Sequence, residues 1–258
     1  MTYKIVFIDI DGTLVNGEKN IPNDAKLAIK ELKKRHIPIV LATGRAPYFF
    51  SDILADLGLS SYISFNGSYV VHEAEEVYRK PIPVETLKAL EDMALKNNHP
   101  LVFQGSKECC ANHEEHAHVI ESFQSLKLNA PSYRKDFWKE ADIYQCLLFC
   151  EGKEEKLYEE SFSNIHFVRW HPLSTDVIPT GGSKAAGIAQ ILNILNIDPK
   201  EAVAFGDGLN DKEMLSYVGM GIAMGNAHEN IKPYAKFVTK HVDEGGIAYG
   251  LKKIGLLE

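Results

Sequence analysis

The segment Asp9-Ile10-Asp11-Gly12-Thr13 places two carboxylates two residues apart, just after the apolar run that begins at Tyr3. Carboxylates this close repel each other unless a cation lies between them or one is protonated. Both solutions serve phosphoryl transfer. Asp9 can attack phosphorus as a nucleophile. Asp11 can protonate a leaving alcohol and then deprotonate the water that resolves the phospho-enzyme. Gly12 lets the backbone turn sharply. Asp and Gly are also ordinary turn residues, so the pattern needs support from elsewhere in the chain.

Three further groups supply it. Ala42-Thr43-Gly44-Arg45 ends a second apolar run, where a Thr43 hydroxyl and a Gly44 amide can hold phosphate oxygens. Lys184 follows Gly181-Gly182-Ser183 at an expected helix start, where its ammonium can neutralise phosphate beside the positive end of the helix dipole. Gly206-Asp207-Gly208-Leu209-Asn210-Asp211 offers a carboxylate and an amide after a third apolar run, a donor set that suits magnesium. Taken singly, each reads equally well as a loop or a solvated surface group. Turn chemistry alone does not explain why all four fall at strand C-ends or helix N-ends.

The elements that must position them alternate. Strands are expected over Tyr3–Ile8, Ile37–Ala42, Tyr62–Phe65, Ala202–Phe205 and Gly221–Met224. A helix opens at Pro22 with Ala25, Ile29 and Leu32 on one face; another runs from Pro47 to Gly58; Asn66-Gly67 marks a turn. Ser183 caps a helix reaching about Asn196, and shorter helices follow at Lys212–Val218 and Gly246–Ile254. Strand–helix alternation predicts an α/β fold with a Rossmann-like doubly wound parallel sheet, whose ligands lie beyond the strand C-ends. The middle of the chain is less regular. It is expected to be an inserted α+β domain over 81–180, leaving 1–80 and 181–258 as a discontinuous core. Its expected strands lie near Leu101–Phe103, Ile143–Cys150 and His166–Trp170, and its helices near Glu85–Asn97, Glu114–Leu126 and Lys153–Ser161.

Composition narrows the function classes. The 258 residues are 45% hydrophobic and 24% charged with a net charge of −7, values of a globular chain with no general attraction for nucleic acid. No apolar run approaches the length of a signal peptide or membrane span, so a soluble, cytoplasmic protein is expected. Cys109, Cys110, Cys146 and Cys150 form no C-x-x-C pair and are expected to be reduced. Cys109-Cys110 with His113, His116 and His118 offers metal-ligand types, but the spacing matches no standard zinc module. Trp138, Tyr144 and Trp170 could stack on a substrate ring, though core packing explains them as well.

The four motifs together resemble those of the haloacid dehalogenase superfamily of phosphatases. The insertion between the second and third motifs, the Gly-Asp-Gly-Leu-Asn-Asp form of the fourth and the stretch Ala223-Met224-Gly225-Asn226-Ala227 are similar to the Cof-type subfamily with a large α/β cap. The resemblance implies a magnesium-dependent phosphatase of small phosphorylated metabolites, such as sugar phosphates or phosphorylated cofactors, working through a phospho-aspartate. It implies that Asp9 is nucleophile and metal ligand, and that Asp11 is acid/base and binds the metal through its backbone carbonyl. Asp207 would be a further metal ligand and Asp211 would support the metal shell. The Ile10 backbone, Thr43, Gly44, Lys184 and Asn210 would meet phosphate. Substrate choice would lie in the cap. A phosphomutase using the same aspartyl-phosphate, and a non-catalytic sensor of a phosphorylated ligand, are the alternatives. The sequence leaves the oligomeric state open.

Overall fold

The computed structural model describes residues 3–258; Met1 and Thr2 lie outside the described residues. Along the chain the first elements are β1 (Ile5–Ile8), α1 (Asn23–Lys34), β2 (Ile39–Ala42), α2 (Ser51–Leu57), β3 (Tyr62–Ser64), β4 (Tyr69–His72) and β5 (Glu75–Arg79). Then come α3 (Val84–Lys96), β6 (Leu101–Gln104), β7 (Cys109–Ala111), α4 (Ala117–Ser125), β8 (Gln145–Leu148), α5 (Gly152–Glu159), β9 (Ile165–His171) and β10 (Ser174–Pro179). The last are α6 (Lys184–Leu195), β11 (Ala202–Gly206), α7 (Lys212–Tyr217), β12 (Met220–Ala223), β13 (Phe237–Val238) and α8 (Gly246–Lys253).

The chain divides into two compact units. One comprises Met1–Arg45, Phe49–Tyr78 and Ser183–Glu258; the other comprises Ala46–Tyr48 and Arg79–Gly182. The first holds an eight-stranded sheet in the order β13-β12-β11-β1-β2-β3-β4-β5. From β13 to β3 every pairing is parallel, and β4 then adds to β3 antiparallel. Strands β1, β2 and β11 are buried at every position because helices cover a parallel sheet on both faces. Strand order runs outward from β1 in both directions, so the switch point lies between β1 and β11, where Ile8 pairs with Phe205. The α/β fold expected from the strand–helix alternation is therefore present.

Helix ends follow local chemistry. Ser183 accepts a hydrogen bond from the Ala186 amide and caps α6, and Gly58 ends α2 in the left-handed region at φ 58°. The helix expected from Pro47 breaks instead. A short 3-10 turn at Pro47–Phe49 is separated from α2 by Phe50, whose φ of −142° is not helical and whose ring is buried against Tyr62. Burial of one aromatic ring outweighs continuation of a short helix. Strand β1 starts at Ile5 rather than Tyr3, and β2 at Ile39 rather than Ile37.

The second unit is a five-stranded sheet in the order β7-β6-β8-β10-β9, antiparallel throughout. Leu87, Leu90 and Ala94 from one face of α3 belong to its core, with Leu101, Phe103, Cys146, Leu148 and Tyr158. The expected strand near Ile143–Cys150 is confined to Gln145–Leu148, and the helix near Glu114–Leu126 to Ala117–Ser125. Trp138 and Tyr144 are buried, and the Trp138 Nε1 donates to Glu91 Oε2 at 2.7 Å, so packing explains both. Cys109 and Cys110 lie on β7, and burial pushes the Cys109 thiol up to about 11, which keeps it protonated near neutrality. Among the described residues no helix is long and apolar enough to cross a membrane.

Candidate active site

Asp9 directly follows β1 and its amide donates to the Phe205 carbonyl of β11 at 3.0 Å. The two central strands thereby set Asp9 beside the loop that carries Asp207. Lys184, the first residue of α6, sends its ammonium between two carboxylates: Nζ lies 2.5 Å from Asp9 Oδ1 and 2.6 Å from Asp211 Oδ1. All three side chains are buried, with Lys184 1% and Asp211 0% exposed. The lysine expected to be a surface group if it did no chemistry is thus one of the most enclosed charges in the chain. Its pKa is raised because the charges of Asp211 and Asp9 outweigh the burial that opposes them.

One ammonium does not neutralise three carboxylates. Asp9, Asp207 and Asp211 each offer an oxygen within 4.8 Å of the others, the one such group of three or more His, Cys, Asp or Glu side chains found among the described residues. Burial, then the charge of Asp211, pushes Asp9 well above the usual carboxylate range despite Lys184. Burial, against a hydrogen bond from Thr13, pushes Asp207 from 3.8 up to about 6. A pocket of oxygen donors whose carboxyls resist ionisation is short of positive charge, and this fits a hard divalent cation such as magnesium. The Cys109–His118 run forms no comparable group.

The surrounding loops fix these acids closely. Gly12 has φ 77°, and a Cβ there would lie 2.2 Å from Asp207 Oδ2, so only glycine lets this loop approach. Thr13 Oγ1 donates to Asp207 Oδ1 at 2.7 Å. Asn226 Nδ2 donates to the Gly12 carbonyl at 2.7 Å while its Oδ1 accepts from the Val242 amide. Asp211 Oδ2 accepts from the amides of Asp207 and Gly208 at 2.9 and 2.8 Å. Both Asp211 oxygens are therefore engaged by lysine and backbone.

Asp11 lies at the rim. Arg45 Nε and Nη2 grip its two oxygens at 2.7 and 2.6 Å, and Lys19 Nζ adds a third bond at 2.7 Å. Burial raises the carboxyl, but Arg45 and then Lys19 outweigh it and hold Asp11 below its ordinary value. Neither cation was singled out for a role from the sequence. Arg45 ends the Ala42–Arg45 motif, and Lys19 sits on an unremarkable polar loop at φ 67°.

Three of the residues expected to meet phosphate, Thr43, Gly44 and Asn210, share Asn66 as a neighbour. The Thr43 amide donates to Ile63 and its hydroxyl accepts from the Arg45 amide at 3.1 Å. Gly44 abuts the side chain of Asn66, and Asn210 Nδ2 donates to Asn66 Oδ1 at 2.9 Å. Ile10 has a buried side chain, and its carbonyl accepts from the amides of Leu14 and Val15. Asn66, read from the sequence only as a turn residue, is a missed member of this set.

Comparisons with known proteins place the whole chain. A family model described as haloacid dehalogenase-like hydrolase matches residues 6–251. The "Putative phosphatase YkrA" of Bacillus subtilis (strain 168) is 44% identical over 258 residues, covering 100% of both chains. The solved structure of a hypothetical protein from Geobacillus kaustophilus HTA426 superposes with TM-score 0.95 at 48% identity, over 99% of this chain and 100% of that one. The sugar phosphatase BT4131, of subclass IIB of the same superfamily, superposes with TM-score 0.86 at 30% identity, over 98% of this chain and 100% of that one. With a match that runs from β1 into α8, the chain belongs to the haloacid dehalogenase-like hydrolases, as a phosphatase of the Cof-type branch.

Proposed function

We propose that this phosphatase hydrolyses small phosphorylated metabolites, sugar phosphates among them, with magnesium and through a phospho-aspartate on Asp9. The observation that carries the reading is the buried cluster in which Lys184 bridges Asp9 and Asp211 while Asp207 stands within metal-binding distance. Asp9 and Asp207, with the Asp11 backbone carbonyl, would hold the cation; Asp211, its oxygens already engaged, would orient its neighbours. Bound there, magnesium supplies positive charge that offsets repulsion between Asp9 and a phosphate dianion.

The residues then divide the work. An Asp9 oxygen attacks phosphorus, and the bond to the leaving oxygen breaks as the Asp11 carboxyl gives that oxygen its proton. A water then attacks phosphorus, loses its proton to Asp11, and the bond from phosphorus to Asp9 breaks, which restores the carboxylate and frees inorganic phosphate. Lys184 and the amides around Thr43 and Gly44 stabilise charge on the transferring group. Arg45 and Lys19 hold Asp11 in its ionised, proton-accepting form, so Asp11 takes up the proton it donates only when these bonds loosen. Residues 79–182 carry the choice of leaving group in this reading.

The test is release of inorganic phosphate from a panel of phosphomonoesters with magnesium and with excess EDTA. Magnesium-dependent release supports the reading. Transfer of label between substrate hydroxyls without free phosphate would replace it with a mutase.

A further inference from the structure

The turn Phe65–Gly67 touches three separate loops of the candidate site. Asn66 is 3% exposed and sits in the left-handed region at φ 50°, ψ 38°. Its backbone amide donates to the Thr43 carbonyl at 3.1 Å, tying it to the loop after β2. Its side-chain oxygen accepts from Asn210 Nδ2 at 2.9 Å, tying it to the loop after β11. A Cβ on Gly44 would lie 2.9 Å from Asn66 Nδ2, so the amide fills the space under the Gly44 backbone. Next to it Gly67, at φ 96°, leaves room for the residue before Lys184: a Cβ at 67 would lie 1.9 Å from the Ser183 carbonyl oxygen.

An Asn amide has two N–H donors and one carbonyl acceptor. With one Asn210 donor committed to Asn66, the plane of the Asn210 amide is set, and its remaining donor is held in one direction. We infer that Asn66 is a positioning residue of the phosphate pocket: its buried amide fixes Asn210 and supports the Thr43–Gly44 cradle, so that both meet the phosphoryl group of a phosphomonoester already oriented. The inference rests on the hydrolase reading above for the reaction, but its geometry concerns phosphate binding alone. Preorganised donors bind without the cost of ordering, so loss of the fixing group weakens binding even though Asn66 touches no reacting atom.

Two substitutions separate the roles. Asn66→Gly keeps access to positive φ and removes the amide. Asn66→Ser also removes the amide, and its side chain is too short to accept from Asn210 Nδ2. Both are compared with wild type and with Asn210→Ala in saturating magnesium, using p-nitrophenyl phosphate turnover and calorimetric binding of inorganic phosphate. With Asn66→Gly, KM and the phosphate dissociation constant should rise roughly tenfold, the upper end of what one neutral hydrogen bond contributes. The double variant Asn66→Gly/Asn210→Ala should lose less phosphate affinity than the product of the two single losses, because part of the Asn66 effect runs through Asn210. Multiplying losses in the double variant, or unchanged phosphate affinity in Asn66→Gly, would overturn the inference. If Asn66→Gly fails to fold, Asn66→Ser carries the test: with the bond from Asn210 lost it should weaken phosphate binding to a similar extent, and unchanged affinity would overturn the inference. Wild type that binds phosphate but hydrolyses no ester would defeat the hydrolase reading while the binding comparison still decides the role of Asn66. Wild type that binds no phosphate overturns both.

Discussion

At the residue scale, the candidate site encloses carboxylates with too few partners of opposite sign. Removing the Lys184 ammonium would leave Asp9 and Asp211 facing each other in a buried site. Breaking such a pair typically costs about 3–5 kcal/mol. Lys184→Met should therefore lower the melting temperature as well as slow turnover by roughly 10²–10³-fold; a variant as stable and active as wild type would return the lysine to an incidental role. The raised Asp207 carboxyl gives a pH signature. Below its ordinary value of 3.8 both folded and unfolded chains are protonated there, and this group contributes nothing. Between 3.8 and about 6 the metal-free folded chain keeps a proton that the unfolded chain has lost, so stability falls as pH rises, and the full cost is present above about 6. Asp9 is shifted in the same direction. Melting in EDTA should show this loss between pH 4 and pH 7, roughly, and magnesium should reverse it at the upper end, because cation binding requires the deprotonated carboxylates.

At the element scale, close loop approach places the acids. Gly12→Ala combines a strained positive φ with a Cβ inside the Asp207 carboxylate, so the loop or the carboxylate must move. Misplacement of about 1 Å costs on the order of a hundredfold in rate, and the variant should bind magnesium more weakly by titration. The loops were largely legible from sequence because their chemistry is local: Asp, Gly, Thr and Lys fall at ends of apolar runs, and Ser183 caps α6 as its type suggests. What escaped was encoded elsewhere. Strands β4 and β5 are joined through Glu73 and Ala74, both at positive φ, in place of the Asn-Gly or Asp-Gly pair that announces a tight hairpin. Strand β10 contains Ser174, Thr175, Asp176 and Pro179, a composition that reads as linker, yet its pairing with β8 and β9 buries most of it. The partnership of Arg45 and Lys19 with Asp11 spans 34 and 8 residues of sequence, and no local pattern signals it.

At the scale of the whole molecule, each unit has a core of its own. The parallel core was legible because strands covered on both faces leave continuous apolar runs. The antiparallel sheet of residues 79–182 was legible only in part, since short strands such as Cys109–Ala111 carry too few residues to establish a period. Phe103, buried in the second core, provides a test of independence. Phe103→Ala should destabilise by about 3–5 kcal/mol and leave the magnesium dissociation constant unchanged. A large loss of magnesium affinity would show that Asp9 and Asp207 depend on that core for their placement.

Asp9 is the proposed nucleophile, and the rest of the proposed chemistry depends on it. The most direct measurement is phosphate release by wild type and Asp9→Asn side by side, with magnesium and with EDTA, alongside circular dichroism of both proteins. The amide is nearly isosteric but does not attack phosphorus. The expected result is magnesium-dependent release by wild type and none above background by a folded Asp9→Asn protein. Release by that variant at a rate near wild type would contradict the account.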